Sequence, residues 1–158
     1  MRVVMQRVLE ASVAVDGAVV AAIGPGILAL VGFGREGGPD FVASPPCRMV
    51  LEKMLDLRIF PADGSSFEQS LRDSGGELLL VSQFTLHASC RKGRRPSFSD
   101  AAPPEAARPL FAALVLRAQE SLPGRVRAGI FGADMAVRLV NWGPVTISLD
   151  SADFGGAS

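Results

Sequence analysis

Residues 17–34 run for 18 positions without a charge, and this stretch constrains the chain more than any other. A run of that length raises the question of a membrane helix. It also holds five glycines, with Gly24-Pro25-Gly26 at its centre. Glycine and proline in that pattern make a turn, so the stretch reads as two short buried strands and no membrane span is expected. Strand signals lie around it. Arg2–Leu9 is rich in valine, Ser12–Val15 alternates, and Asp16-Gly17 is a hairpin turn signal. Ala18–Ile23 and Ile27–Phe33 are the two buried strands, followed by a loop at Gly34–Gly38.

Further on, Pro45-Pro46 suits a helix start, because the first helical positions need no N–H partner. Cys47, Val50, Leu51 and Met54 then recur at helical spacing, giving a helix to about Asp56. Leu57–Phe60 reads as a short strand and Pro61–Gly64 as a turn. Gly76 opens a run, Glu77–Leu86, whose first half is apolar on both faces, as in a central strand. His87–Ser99 is a polar, basic loop. Asp100–Leu122 holds a second helix with Leu110, Phe111, Leu114, Val115 and Ala118 on its apolar face; Pro103, Pro104 and Pro109 leave its first turns undefined. Val126–Phe131, Met135–Val140 and Val145–Leu149 are strand candidates, and Asp153–Ser158 reads as a frayed tail.

At 158 residues the chain makes one domain. Strands before and after two helices predict an α+β fold: a small single domain with a strongly curved, barrel-like, mainly antiparallel or mixed sheet and two main helices. The domain is expected over 1–150 and the tail over 151–158.

Composition removes several functions. Lys plus Arg and Asp plus Glu both number 16, so no chain-wide field marks a nucleic-acid binder, and any such role needs a local patch. The two cysteines, Cys47 and Cys90, exclude a disulfide framework or a four-thiolate metal site. With His87 as the one histidine, a two-His metal motif within the chain is impossible. No metal or cofactor is expected. Glu10 and Asp16 interrupt any leader-like apolar run, and a reduced, cytoplasmic setting is expected.

Three segments could carry chemistry. Ser82-Gln83-Phe84-Thr85-Leu86 ends a buried strand with three polar residues in four positions. Hydroxyls capping local backbone is the plain explanation, and lining a site is the functional one. A nucleophilic Ser82 or Thr85 would need a base. On a strand Thr85 and His87 share a face and Ser82 takes the other, and nothing clearly orients His87. Arg91-Lys92-Gly93-Arg94-Arg95 is four-fifths cationic. In a chain without net charge that density favours a phosphate contact over a merely solvated loop. Only Phe98 is an aromatic near it, so base stacking is not strongly signalled. Asn141-Trp142-Gly143-Pro144-Val145-Thr146 reads as a hairpin turn. A cis Gly-Pro bond there would aim adjacent carbonyls one way, making a rigid polar wall without a side chain.

Taken together these segments resemble the bacterial and eukaryotic D-aminoacyl-tRNA deacylases over nearly the whole length. The likeness begins at Met1–Val8 and Ala11–Gly17. It continues through Ile23–Gly26, Leu57–Phe60 and Gly76–Leu79. It is sharpest at Ser82–Leu86, at Lys92–Phe98 and at Asn141–Thr146. The family patterns Ser-Gln-x-x-Leu and Asn-x-Gly-Pro-x-Thr both stand in order. Phe67–Ser70 and Asp40–Arg48 depart from the usual family sequence, outside those patterns. His87–Ser89 is a variable part of the family, and no role passes to His87.

The resemblance implies a homodimer of a small barrel-like fold that hydrolyses the ester joining a D-amino acid to the terminal adenosine of tRNA. It also implies clearance of glycine mischarged on tRNA(Ala). Ser82, Gln83, Phe84 and Thr85 would be catalytic, with Leu86 in the same pocket. Gly143-Pro144 would be cis and enter the pocket of the other subunit, held there by Arg7, and Leu86, Asn141, Gly143, Pro144, Thr146 and Arg7 would make up the substrate-binding set. Arg91, Lys92, Arg94 and Arg95 would touch the tRNA backbone. The resemblance further implies that the ribose 2′-hydroxyl assists the attacking water; Thr85 as nucleophile ranks second, because no good base is placed for it. The rival functions are an RNA-binding module without catalysis and a general Ser/Thr esterase.

Overall fold

The computed structural model describes residues 1–35, 38–62 and 65–155. The expected loop at Gly34–Gly38, turn at Pro61–Gly64 and tail from Asp153 lie partly outside the described residues, at 36–37, 63–64 and 156–158.

β1 (Arg2–Val15) is one strand of 14 residues, where two shorter ones were expected. β2 (Ala18–Ile23) returns along its far half, and β3 (Gly26–Gly32) pairs antiparallel with its near half. β4 (Phe60–Ala62) and β5 (Ser65–Gln69) make a separate small ribbon. The expected strand at Leu57–Phe60 therefore starts only at its last residue, and Pro61 lies in the strand rather than in a turn. β6 (Glu77–Ser82) runs parallel to β3, and β7 (Val126–Ala128) parallel to β6. β8 (Ala136–Asp150), 15 residues long, pairs with the other edge of β1. The result is a strongly curved, barrel-like mixed sheet in the order β2-β1-β3-β6-β7, with β8 beside β1.

Parallel neighbours require crossovers. α1 (Pro45–Asp56) lies in the β3–β6 crossover and α3 (Pro104–Ser121) in the β6–β7 crossover. Both start on proline, and α3 keeps Pro109 inside it. The helix survives because Leu110, Phe111 and Leu114 are buried under it. A short third helix, α2 (Leu71–Ser74), was not expected; Ser70 and Asp73 cap each other at its start. The main core packs both long helices against Val3, Met5, Ile27, Leu78 and Leu80. A second cluster on the opposite face gathers Val8, Val13, Leu28, Leu79 and Val81. β3 and β6 are thus buried on both faces, which explains their unbroken apolar sequence.

β1 and β8 serve both clusters in turn. Val3 and Met5 face the helices, whereas Ala11 and Val13 belong to the second cluster. Alternation would keep these odd positions on one face, so the strand must slip by a residue. The slips occur between Gln6 and Val8 and between Val8 and Glu10, opposite Val140–Thr146 of β8. Asn141–Pro144 is therefore an irregularity within one strand, not the turn expected between two. Ser151–Phe154 is a short 3-10 turn in which Phe154 packs on the main core, so the chain does not fray from Asp153 as expected.

Candidate active site

β6 stops at Ser82, and Phe84–His87 wind into a 3-10 turn rather than continuing the strand to Leu86. Two contacts flank the change. The Gln83 N–H donates to Val31 O at 2.7 Å, and the buried His87 sets Nε2 at 3.2 Å from Gly32 O. Gly32 makes this possible. A Cβ there would stand 2.6 Å from the Gln83 carbonyl oxygen, inside van der Waals contact. The first N–H groups of such a turn have no acceptor within it. Phe84 and Thr85 occupy those positions.

The turn borders a cavity of about 570 Å³. Ser82, Gln83 and Phe84 line one end of it, while Thr85 and Leu86 do not. Gln83 Nε2 donates to Thr85 Oγ1 at 2.6 Å. One oxygen lone pair of Thr85 is thus occupied, and the chain's one imidazole is turned into Gly32 O. The arrangement does not build a Thr-His pair. Nor is Cys47 a nucleophile: burial pushes its thiol up to about 11.

The rest of the cavity was not anticipated. Phe33, Ala102, Pro103, Phe131 and Met135 make it apolar, with Arg35 and Asp134 at its edge. Phe131 sits in a turn after β7 and not in the strand expected to reach it. The signal was there in Gly129 and Gly132, which bracket Phe131 and end the strand early.

A second constellation lies across β1 and β8. The Gly143–Pro144 peptide bond is cis, and both residues are exposed. Arg7, only 5% exposed, reaches beneath them. Its Nε donates to Trp142 O at 2.7 Å, and its Nη1 to Ile59 O. Its guanidinium lies 4.8 Å from the Trp142 ring centroid and 5.7 Å from that of Phe67. Burial pulls its pKa below the ordinary arginine value, yet the group stays charged at neutral pH. Gly143 has φ +141°, and a Cβ on it would meet Arg7 Nη2 at 2.9 Å. Asn141 braces the excursion. Its Oδ1 accepts from Val145 N–H at 2.8 Å, and its Nδ2 lies 3.2 Å from both Gln6 Oε1 and Thr146 Oγ1. Within one chain, then, Arg7, Asn141 and Thr146 shape the Gly143-Pro144 backbone. None of these residues lines the cavity at Ser82–Phe84.

The basic segment forms a third group. Ser89 and Ser97 exchange backbone hydrogen bonds of 2.8 and 2.9 Å. Arg91, Lys92, Arg94 and Arg95 stand exposed between them.

A family model described as D-Tyr-tRNA(Tyr) deacylase matches residues 4–150. A D-aminoacyl-tRNA deacylase of Solidesulfovibrio magneticus is 67% identical over 158 residues, covering 100% of both chains. Its counterpart in Desulfovibrio desulfuricans is 59% identical, covering 99% of this chain and 100% of its own. Among solved structures, one titled c-Myc DNA Unwinding Element Binding Protein has a TM-score of 0.86 at 37% identity, covering 95% of this chain and 98% of its own. A probable eukaryotic D-amino acid tRNA deacylase has a TM-score of 0.77 at 20% identity, covering 94% and 97%, and speaks to the fold alone.

Proposed function

The chain belongs to the D-Tyr-tRNA(Tyr) deacylase family, and from that premise we propose that it hydrolyses the ester of D-aminoacyl-tRNA, releasing D-amino acid and free tRNA. It is a hydrolase of translation quality control. The observation that supports the site assignment is the 3-10 turn at Phe84–His87, whose first residue lines a cavity together with Ser82 and Gln83.

The reaction is attack of water on an activated ester. Negative charge grows on the carbonyl oxygen, and the backbone N–H at Phe84 is the proposed donor to it. One such donor is worth about 2.7–4 kcal/mol in other hydrolases. Ser82 and Gln83 position the ester, and Thr85 is a binding group held by Gln83 rather than a nucleophile. The neighbouring ribose 2′-hydroxyl of the substrate assists the water. Arg91, Lys92, Arg94 and Arg95 hold tRNA phosphates.

Selectivity needs a wall the cavity of one chain does not contain. We assign it to the Gly143 and Pro144 carbonyl oxygens of a second protomer in a homodimer. Rigid oxygens facing the substrate α-carbon exclude an L side chain, leave a D side chain pointing outwards, and let glycine through, including glycine mischarged on tRNA(Ala). A thousandfold rejection requires ~4 kcal/mol, which a fixed-backbone clash can supply. Two observations support the dimer. Gly143 and Pro144 are exposed and lie outside the cavity, and among the described residues β8 is paired along one edge only. A 15-residue open edge invites another chain. The deacylase domain is proposed to be residues 1–150, with 151–158 as its extension. Cytoplasmic residence fits the substrate, and no helix among the described residues is long and apolar enough to cross a membrane.

The test is a deacylation time course with matched D- and L-aminoacyl-tRNA. Rapid loss of the D ester with the L ester spared is expected. Equal rates on both would remove the handedness filter, and binding of charged tRNA without ester loss would favour an RNA-binding module.

A further inference from the structure

An aromatic pair joins the cavity to the basic loop, and neither hydrolysis nor the handedness filter uses its rings. Phe84 is 55% exposed and Phe98 37%. Their centroids lie 5.0 Å apart, edge to face, and both residues border the mouth of the cavity. Two large apolar rings held side by side in water mark a contact surface. The pair is also anchored. The Ser89–Ser97 bridge closes the basic loop one residue before Phe98, and Ala101 N–H donates to Phe98 O at 3.1 Å. Arg91, Lys92, Arg94 and Arg95 are within three residues of one arm or other of that bridge, so their backbones lie no more than ~11 Å from it. Cations, rings and cavity therefore follow one another.

We propose that the Phe84–Phe98 pair is a stacking platform for the nucleobase preceding the terminal nucleoside of the RNA strand whose 3′ ester occupies the cavity. The proposal rests on the deacylase reading. Read along such a strand, the order is phosphate, base, ester, and the protein presents cation, aromatic face and hydrolytic turn in the same order. The adjoining cations single out a polyanion as occupant over a second copy of this chain, which carries no net charge. Every base has a π-face, so the platform adds affinity for the strand without reading its sequence.

The test is a cycle between the ring and the base. Wild type, Phe98→Ala and Phe98→Leu are assayed on D-aminoacyl-tRNA with an intact or an abasic penultimate nucleotide, and on D-aminoacyl-adenosine, which lacks that nucleotide. Removing the base is expected to raise the wild-type KM ~10-fold with kcat little changed. Either Phe98 variant should lose a similar factor on the intact RNA and then be indifferent to the abasic change. Phe98→Trp should restore both the affinity and the sensitivity. Additive losses, or an equal loss on D-aminoacyl-adenosine, would overturn the platform. So would a change in oligomeric state caused by Phe98→Leu, since the rings would then be covered by protein. Failure of the wild-type chain to cleave intact D-aminoacyl-tRNA would instead strike the deacylase reading itself.

Discussion

One glycine and one arginine shape the backbone of the proposed site. Gly32 lets the Phe84–His87 turn close against β3. In Gly32→Ala the new methyl would meet the Gln83 carbonyl oxygen at 2.6 Å, and backbone cannot yield as a side-chain tip can. The turn must shift, and with it the Phe84 N–H. A displacement of about 1 Å at a reacting centre can cost ~100-fold. We expect kcat to fall 10–100-fold, with circular dichroism unchanged and KM little altered; a variant with normal kcat would show that the turn does not position the ester. Arg7 supports the other half. Arg7→Met keeps the volume near Trp142 and Phe67 but leaves the carbonyls of Trp142 and Ile59 without their donor. Unsatisfied buried acceptors cost about 1–3 kcal/mol each, so with two of them urea unfolding should show a loss of about 2–6 kcal/mol. L-aminoacyl-tRNA hydrolysis should rise in the same variant. These residues differ in how far sequence reveals them. Ser82 and Gln83 stand out as polar positions closing an apolar run. A single arginine in a strand carries no local mark, and Arg7 was assigned by resemblance alone.

At the scale of elements, what a strand buries on both faces was legible, and what its partner imposes was not. β3 and β6 follow from unbroken apolar runs, and the helical spacing of Cys47, Val50, Leu51 and Met54 gives α1. The course of Asn141–Pro144 could not be read this way. Asn, Gly and Pro favour a turn locally, but the matching slip in β1 keeps β8 continuous and converts the turn into an irregularity. The Phe84–His87 turn escaped for a related reason, since its cause is the approach of Gly32 and His87 from distant positions. The β1–β8 pair is also fastened at one end by an ion pair, Arg2 Nε to Asp150 Oδ2 at 3.0 Å. Partial burial raises the Asp150 pKa, but hydrogen bonds from Ala152 N–H and from Arg2 outweigh it, and the net value is lowered from 3.8. A lowered folded-state pKa contributes stability above the ordinary aspartate value and loses it as pH falls through the folded value. Asp150→Asn should therefore be less stable at pH 7, by less than about 1 kcal/mol for so exposed a pair. The gap to wild type should close as pH falls below 3.8. A gap that is constant down to strong acid would show that the charge of Asp150 plays no part.

For the whole molecule, the Phe84–His87 turn and the Gly143-Pro144 backbone occupy different parts of one chain, so the proposed selectivity requires a second chain. A mixture of two damaged proteins tests this directly. Gly32→Ala damages the pocket and leaves the wall intact. Gly143→Ala leaves the pocket intact but drives a Cβ to within 2.9 Å of Arg7 Nη2 at a φ of +141°, so the wall must move. Alone, Gly143→Ala should lose its preference for the D ester or its activity altogether. If each pocket borrows the wall of its partner, a mixed dimer contains one site with both lesions and one with neither. Adding excess Gly32→Ala and allowing subunits to exchange should then draw every intact pocket under an intact wall. Selective D-ester hydrolysis should return, although the added protein is itself nearly inactive. If each pocket used its own wall, the intact pocket would stay beside its damaged Gly143 whatever its partner, and the mixture would hydrolyse the D ester no faster than the sum of the two proteins assayed apart. The same assay separates the dimer from the filter: exchange without recovered selectivity would leave an oligomer in which the exposed carbonyls serve only the fold.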